Sequence, residues 1–291
     1  MDKGRLVGLV VLVIGVAEIL ACAVGGVPGC KAVSLIGGEA AYMVIGLLAY
    51  IVISGAFGIR LVSSLALGSA LGVFLKVYIN LPRPPESLWL VHASGPGFPS
   101  GHALMSALFW GVIVAETWDA LSLLGGSLAV IAVSDSRLVL HVHYPRDVVG
   151  GASLGALLAL LYLLLKRRLG SLRLAATMIA AATPLALLAL ARSPGYDSAQ
   201  HVVGLVLGIA AGLAVLSTGP GKQSLVEKLS LQQTLLALAL SGTGLGLALL
   251  ARHGPLSIPG FAAFAFIATV SRPLAVASLG GKRPVGRVKE G

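Results

Sequence analysis

Three short stretches of the 291-residue chain carry residue types suited to holding and moving a phosphoryl group. In KVYINLPRP, residues 76–84, Lys76 and Arg83 stand seven apart, the second in a Pro-rich turn. Two cations at a membrane surface suit an anionic group, and a helix-end Lys and a loop Arg could equally snorkel to headgroups. In GFPSGHA, residues 97–103, Ser100 is a natural helix N-cap. The free N–H groups of the turn behind it, at the positive end of the helix dipole, would cradle phosphate oxygens. His102 lies in that turn, either as a proton donor or as a capping or interfacial residue. In SRLVLHVHYPRD, residues 136–147, Pro145 favours a helix start, which puts Asp147 in its first turn and His143 four residues before Asp147. If the helical turn extends back that far, the two share a face, and a carboxylate on one ring nitrogen leaves the other unprotonated and aimed outward. The same pair could instead only pin the loop to the helix. Arg137 adds a third cation.

Combined, these parts suit phosphoryl transfer. Cations and backbone N–H groups clamp non-bridging oxygens while one His attacks phosphorus and another protonates the leaving oxygen. The sequence has no HExxH, no paired carboxylates in this region and no Cys cluster, so neither a metal nor another cofactor is expected.

Positioning the three stretches falls to membrane helices. With 57% hydrophobic and 11% charged residues, the composition excludes an ordinary soluble domain and a disordered chain. A span needs roughly 20 apolar residues. About ten candidates run approximately over 6–25, 40–58, 61–80, 102–117, 120–138, 147–165, 174–191, 202–217, 230–251 and 256–272. The first lacks a convincing small-residue cleavage site and is expected to be a retained helix. The net charge of +10 sits singly between apolar blocks and offers no basic face to nucleic acid, so it is read as topology. With a cytoplasmic N-terminus, 14 of the 21 Lys and Arg residues fall inside. Four of the exceptions, Lys76, Arg83, Arg137 and Arg146, crowd the three stretches. The expectation is a multi-pass cell-membrane protein, both termini cytoplasmic, with its site at the external face. Cys22 and Cys30 are too few for a disulfide framework and lack metal spacing; an outer-surface bridge and two free thiols both fit.

The three stretches resemble the type 2 phosphatidic acid phosphatase superfamily, related in its core to vanadium haloperoxidases. Its pattern of Lys, six residues, Arg-Pro, then Pro-Ser-Gly-His, then Ser-Arg, five residues, His, three residues, Asp is met by Lys76, Arg83 and Pro84, by Pro99 to His102, and by Ser136, Arg137, His143 and Asp147. The resemblance implies an all-α, polytopic fold with a six-helix core over residues 1–170 and about four additional transmembrane helices over 171–291. It implies His143 as nucleophile, Asp147 holding its ring, and His102 as general acid and then base. Lys76, Arg83 and Arg137 would clamp the phosphate with Ser100 and the Gly101 N–H. The longer C-terminal half, and Gly95-Pro96-Gly97 before Phe98, are similar to sugar-phosphate-hydrolysing relatives such as glucose-6-phosphatase.

The expected activity is metal-independent hydrolysis of a lipid phosphate or diphosphate, with polyprenyl diphosphate favoured because such lipids present phosphate at this surface. Phosphatidate or sugar-phosphate hydrolysis and phosphotransfer need the same residues, whereas a phosphate or lipid-phosphate transporter or binder would need the cations but not the His143–Asp147 dyad. The membrane lipid substrate and the bilayer are the expected partners, with no nucleic acid and no obligatory protein. His141 reads as a neighbour of His143. Glu18, inside the first span, should face protein or water, paired with a cation such as Lys76 or hydrogen-bonded. Asp135 could hold Arg137 or face solvent. Asp197 and His201 read as a solvated helix start or a lid; Glu86, Trp89 and His92 could touch substrate or, for Trp89, anchor at the interface.

Overall fold

The computed structural model describes residues 3–279. In chain order the helices are α1 (Lys3–Ile36), α2 (Glu39–Leu48), α3 (Gly55–Ile79), α4 (Gly101–Thr117), α5 (Ala120–Val139), α6 (Pro145–Lys166), α7 (Ser171–Arg192), α8 (Asp197–Leu216), α9 (Gly219–Val226), α10 (Leu231–Leu250) and α11 (Ser257–Leu279). Among the described residues there is no strand. Eight of these helices are long and apolar enough to cross a bilayer, and two shorter apolar runs, Glu39–Ile53 and Gly101–Thr117, account for the remaining expected spans. The protein is a polytopic all-α membrane protein. The short α9 has no counterpart among the expected spans. Lys282, Arg283, Arg287 and Lys289 lie outside the described residues.

Polar residues at the helix ends punctuate the apolar runs. Ser54, Ser100 and Asp119 accept hydrogen bonds from the first-turn N–H groups of α3, α4 and α5, offsetting donors that would otherwise be orphaned. Asn80 and Trp118 close α3 and α4 in the left-handed conformation. Since successive helices α3 to α6 reverse direction, the end of α3, the starts of α4 and α6 and the end of α5 meet at one end of the bundle. Every stretch singled out above lies there.

The first helix departs from the expectation of a single span over 6–25. Its backbone breaks at Gly26, at φ 56° and ψ −141°, in a Gly-Gly-Val-Pro-Gly run. The Cα atoms of Cys22 and Cys30 are only 4.2 Å apart, where eight residues of straight helix would separate them by about 12 Å. The chain therefore turns back on itself, and a Cys22–Cys30 disulfide fastens residues 27–36 against the preceding helix. This folded-back segment reaches the site.

Close approach of backbones sets the remaining geometry. Gly151 and Gly155 of α6 face the Ser100 and Leu104 carbonyls of α4, and Gly204 and Gly208 of α8 face the Ile258 and Ala262 carbonyls of α11. Small residues four apart allow membrane helices this approach. The C-terminal helices join the rest of the bundle mainly where α7 packs along α3. They are also latched by Arg272 of α11. Its guanidinium donates to the Tyr50 and Ile51 carbonyls at 3.0 and 2.8 Å, and to those of Ser224 and Glu227. Tyr50 and Ile51 belong to a π-turn, Ala49–Ile53, that continues α2.

Candidate active site

The three cations are held almost entirely by neutral acceptors. Lys76, buried in the last turn of α3, donates to the Pro96 carbonyl at 2.8 Å and to that of Gly97 at 3.4 Å. Arg83 donates through Nε to Gly95 O at 2.8 Å, through Nη2 to Ser94 O at 2.9 Å and through Nη1 to Val142 O at 2.8 Å. Arg137, buried in the last turn of α5, donates to Ser34 Oγ on the folded-back segment, and its Nε has no partner among the described residues. Carbonyls and a hydroxyl orient these cations without neutralising them. Burying such charge calls for a counter-anion, and among the described residues no carboxylate lies within ion-pair distance of any of the three. The pocket is therefore built for an anion.

His143 is 4% exposed, in the loop between α5 and α6, with Nε2 2.9 Å from Arg83 Nη1. Its Nδ1 stands 3.5 Å from Asp147 Oδ2, beyond ordinary hydrogen-bond length. The expected backward extension of the helical turn does not occur, because α6 begins at Pro145 and its N-cap is Tyr144. Asp147 Oδ2 instead accepts the Tyr144 N–H at 3.0 Å, so one carboxylate caps α6 and backs the His143 ring. The carboxylate thus pins the loop to the helix, while His143 Nδ1 makes no hydrogen bond among the described residues. Burial pushes the His143 imidazole well below its ordinary range, reinforced by Arg83, Lys76, Arg137 and His102. That favours the neutral ring.

His102, in the first turn of α4, has its Nε2 3.7 Å from where a Cβ on Gly38 would lie, and the Ser34 carbonyl faces its ring. Ser100 is fully buried; its N–H donates to Asp147 O at 2.8 Å and its hydroxyl accepts from Ala103 N at 3.5 Å. A Cβ added to Gly101 would meet nothing within 4 Å. The backbone at Gly101 thus faces open space.

The neighbours sort as follows. His141 is exposed at positive φ, while Ser136 is buried and donates to Val133 O at 2.7 Å. Asp135 is exposed, and Arg137 is held by Ser34 instead. Trp89 pins the loop, donating to Pro84 O at 2.9 Å; Glu86 and His92 are exposed. Glu18 is buried and makes no ion pair among the described residues. Asp197 pairs with His253 at 2.9 Å, and His201 bonds the Arg252 carbonyl at 2.7 Å, so both tie α8 to the α10–α11 loop. Ser34 and Tyr196 were not anticipated. The Tyr196 hydroxyl lies against Gly95, the carbonyl that orients Arg83. No spacing rule links residue 34 or 196 to the three stretches, since tertiary packing alone brings them in. Among the described residues, no group of three or more His, Cys, Asp or Glu could hold a metal ion.

The family model of the PAP2 superfamily matches residues 57–171, which contain every residue named in the three stretches. Over residues 57–171 the chain is similar to the PAP2 superfamily. The matched segment runs from the first turn of α3 to the first residue of α7, leaving α1, α2, the rest of α7 and α8–α11 outside it. The chain is 37% identical over 94 residues to phosphatidylglycerophosphatase B of Bacillus subtilis (strain 168), a match covering 29% of this chain and 45% of that protein. The chain thus spans about half the length of the curated relative it matches. It is also similar to the crystal structure of a transmembrane PAP2-type phosphatidylglycerolphosphate phosphatase from Bacillus subtilis, with a TM-score of 0.42 and 27% identity, covering 56% of this chain and 87% of that one.

Proposed function

We propose that the protein is a phosphatase that removes phosphate from a membrane lipid through a phosphohistidine intermediate. The observation that carries this is the buried, neutral His143, backed by Asp147 and set among three cations that lack carboxylate partners. His143 Nε2 donates its lone pair to phosphorus as the bond to the leaving oxygen breaks. His102 gives that oxygen its proton. Water then loses a proton to His102 and attacks phosphorus, breaking the P–N bond and returning both imidazoles to their starting states. Arg83 Nη1, which lies 2.9 Å from His143 Nε2, passes to a phosphate oxygen. Lys76, Arg137 and the N-terminal turn of α4 hold the other oxygens.

Polyprenyl diphosphate suits a site at helix ends beside the bilayer. The names of the two relatives put phosphatidylglycerophosphate next to it as a substrate to assay. The Cys22–Cys30 bridge lies at the same end of the bundle as the pocket, and disulfides persist in oxidising compartments. That supports an external site, as does the charge asymmetry. The test is phosphate release by purified protein with chelator present, from polyprenyl diphosphate, phosphatidylglycerophosphate, phosphatidate and glucose 6-phosphate, beside His143→Ala. Release from a lipid that vanishes in the variant, with vanadate binding retained, is the expected result. Equal release by the variant rules out the nucleophile, and no release from any substrate by folded protein rules out the phosphatase.

A further inference from the structure

A cavity of about 280 Å³ lies at the seam between α2 and α3 and the C-terminal helices α8, α10 and α11. Its inner wall is apolar, with Met43, Leu205 and Phe264 among its lining, and these three also line a second, smaller apolar cavity that ends at Tyr50 and Thr269. Together the linings of the two run along α2 from Glu39 to Tyr50, a distance of roughly 16 Å at the helical rise. One leaflet of hydrocarbon is about 15 Å deep. On the outside the slot is flanked by Val44, 41% exposed, and Leu249, 54% exposed, which face the bilayer.

The polar end of this slot points to the phosphate pocket. Glu39 accepts the Ser69 hydroxyl at 2.7 Å. Gly38, its neighbour, abuts His102, and Lys76 is two helical turns beyond Ser69 on α3. The carboxylate, within electrostatic reach of Lys76, keeps a second anion out of the slot while the cations above it hold the first. His201 stacks on Phe261 at 4.1 Å and, with its bond to Arg252 O, fixes the roof.

We propose that this slot binds the hydrocarbon tail of the lipid phosphate whose head occupies the His143 pocket, and that the helices beyond the PAP2 segment build this tail site. The proposal deepens, and rests on, the phosphatase reading above. The slot has an apolar interior, a side flanked by lipid-facing residues and an acidic rim near the cations, and its lining with that of the neighbouring cavity runs one leaflet's depth. A sugar phosphate has no part that fits it.

The test compares a long-chain lipid phosphate with a short, water-soluble alkyl phosphate, using wild type, Leu205→Trp to fill the slot, Val44→Trp to block its side, and Leu164→Trp on a distant lipid-facing surface as control. The expected result is a loss of about tenfold or more in kcat/KM for the long-chain ester in the first two variants, with the short ester and the control unchanged. Parallel loss on both esters, or no loss, overturns the tail site while leaving the phosphatase intact. A second arm does not need turnover: His143→Ala protein is labelled with a lipid phosphate bearing a photoreactive tail end. Label in peptides spanning 202–209 and 261–269, displaced by unlabelled lipid phosphate but not by the dephosphorylated lipid, supports the proposal. Label displaced equally by both, the mark of a resident bilayer lipid, or spread over the outer surface, overturns it. Failure of wild type to hydrolyse either ester rejects the phosphatase and leaves the labelling arm to decide the slot.

Discussion

Asp147 shows how one side chain serves stability and chemistry together. Its Oδ2 caps α6 through the Tyr144 N–H and stands 3.5 Å from His143 Nδ1. Asparagine keeps an acceptor for the cap but loses the charge behind the ring. Asp147→Asn should therefore lower kcat by about 10²–10⁴-fold, with a thermal midpoint within a few degrees of wild type, read by phosphate release and thermal unfolding. Asp147→Ala should lose the cap as well, costing about 1 kcal/mol. His143 yields a pH prediction. Burial and nearby cations depress its imidazole, so the neutral nucleophile persists as pH falls, and the acid limb of the kcat/KM profile should lie below the ordinary imidazole pKa of about 6.5. An acid limb at or above that value would mean the ring is not held neutral. The motif residues were legible in the sequence because each is fixed by spacing within one turn or one loop. Ser34 was not, since it meets Arg137 only when the chain reverses at Gly26.

Among the elements, the pairing of α4 with α6 decides whether Ser100 and Asp147 meet. Gly151 and Gly155 let the two backbones touch, and a side chain at either must push α6 away from the α4 carbonyls. Gly155→Leu should lower kcat/KM by at least about tenfold, because the cradle and the nucleophile separate, and a crosslink between cysteines placed on α4 and α6 should weaken in parallel. Of the about ten expected spans, eight fall on helices long and apolar enough to cross a bilayer and two on shorter apolar runs, legible from hydropathy because each run is set off by Ser, Gly, Asn or charge. The reversal in α1 and the π-turn after α2 were hidden, because residues 27–36 lie between the expected spans 6–25 and 40–58, and residues 49–53 read as ordinary helix inside the second. Arg272→Met should strip four carbonyls of their donor in an environment without water, lowering the thermal midpoint by on the order of 10 °C.

At the scale of the molecule, the candidate site lies wholly at one end of the bundle, and the Cys22–Cys30 bridge fastens that same end. Ser94→Cys, on the exposed loop beside Arg83, should be labelled by an impermeant thiol reagent applied to intact cells; protection there, with labelling after lysis, would reverse the orientation. Reduction of the bridge should loosen residues 27–36, and with them Ser34, so activity should fall on treatment with a reductant and return on reoxidation. The seam closed by Arg272 bears on how the protein is made. The Tyr50 and Ile51 carbonyls precede the guanidinium that satisfies them by 222 and 221 residues. They enter the membrane long before their partner leaves the ribosome. Throughout that interval these two carbonyls lack the guanidinium that later binds them, so the early spans should stay loosely held until α11 arrives to lock them. A ribosome stalled before Arg272 would leave a set of inserted helices unable to settle, a ready target for membrane proteases.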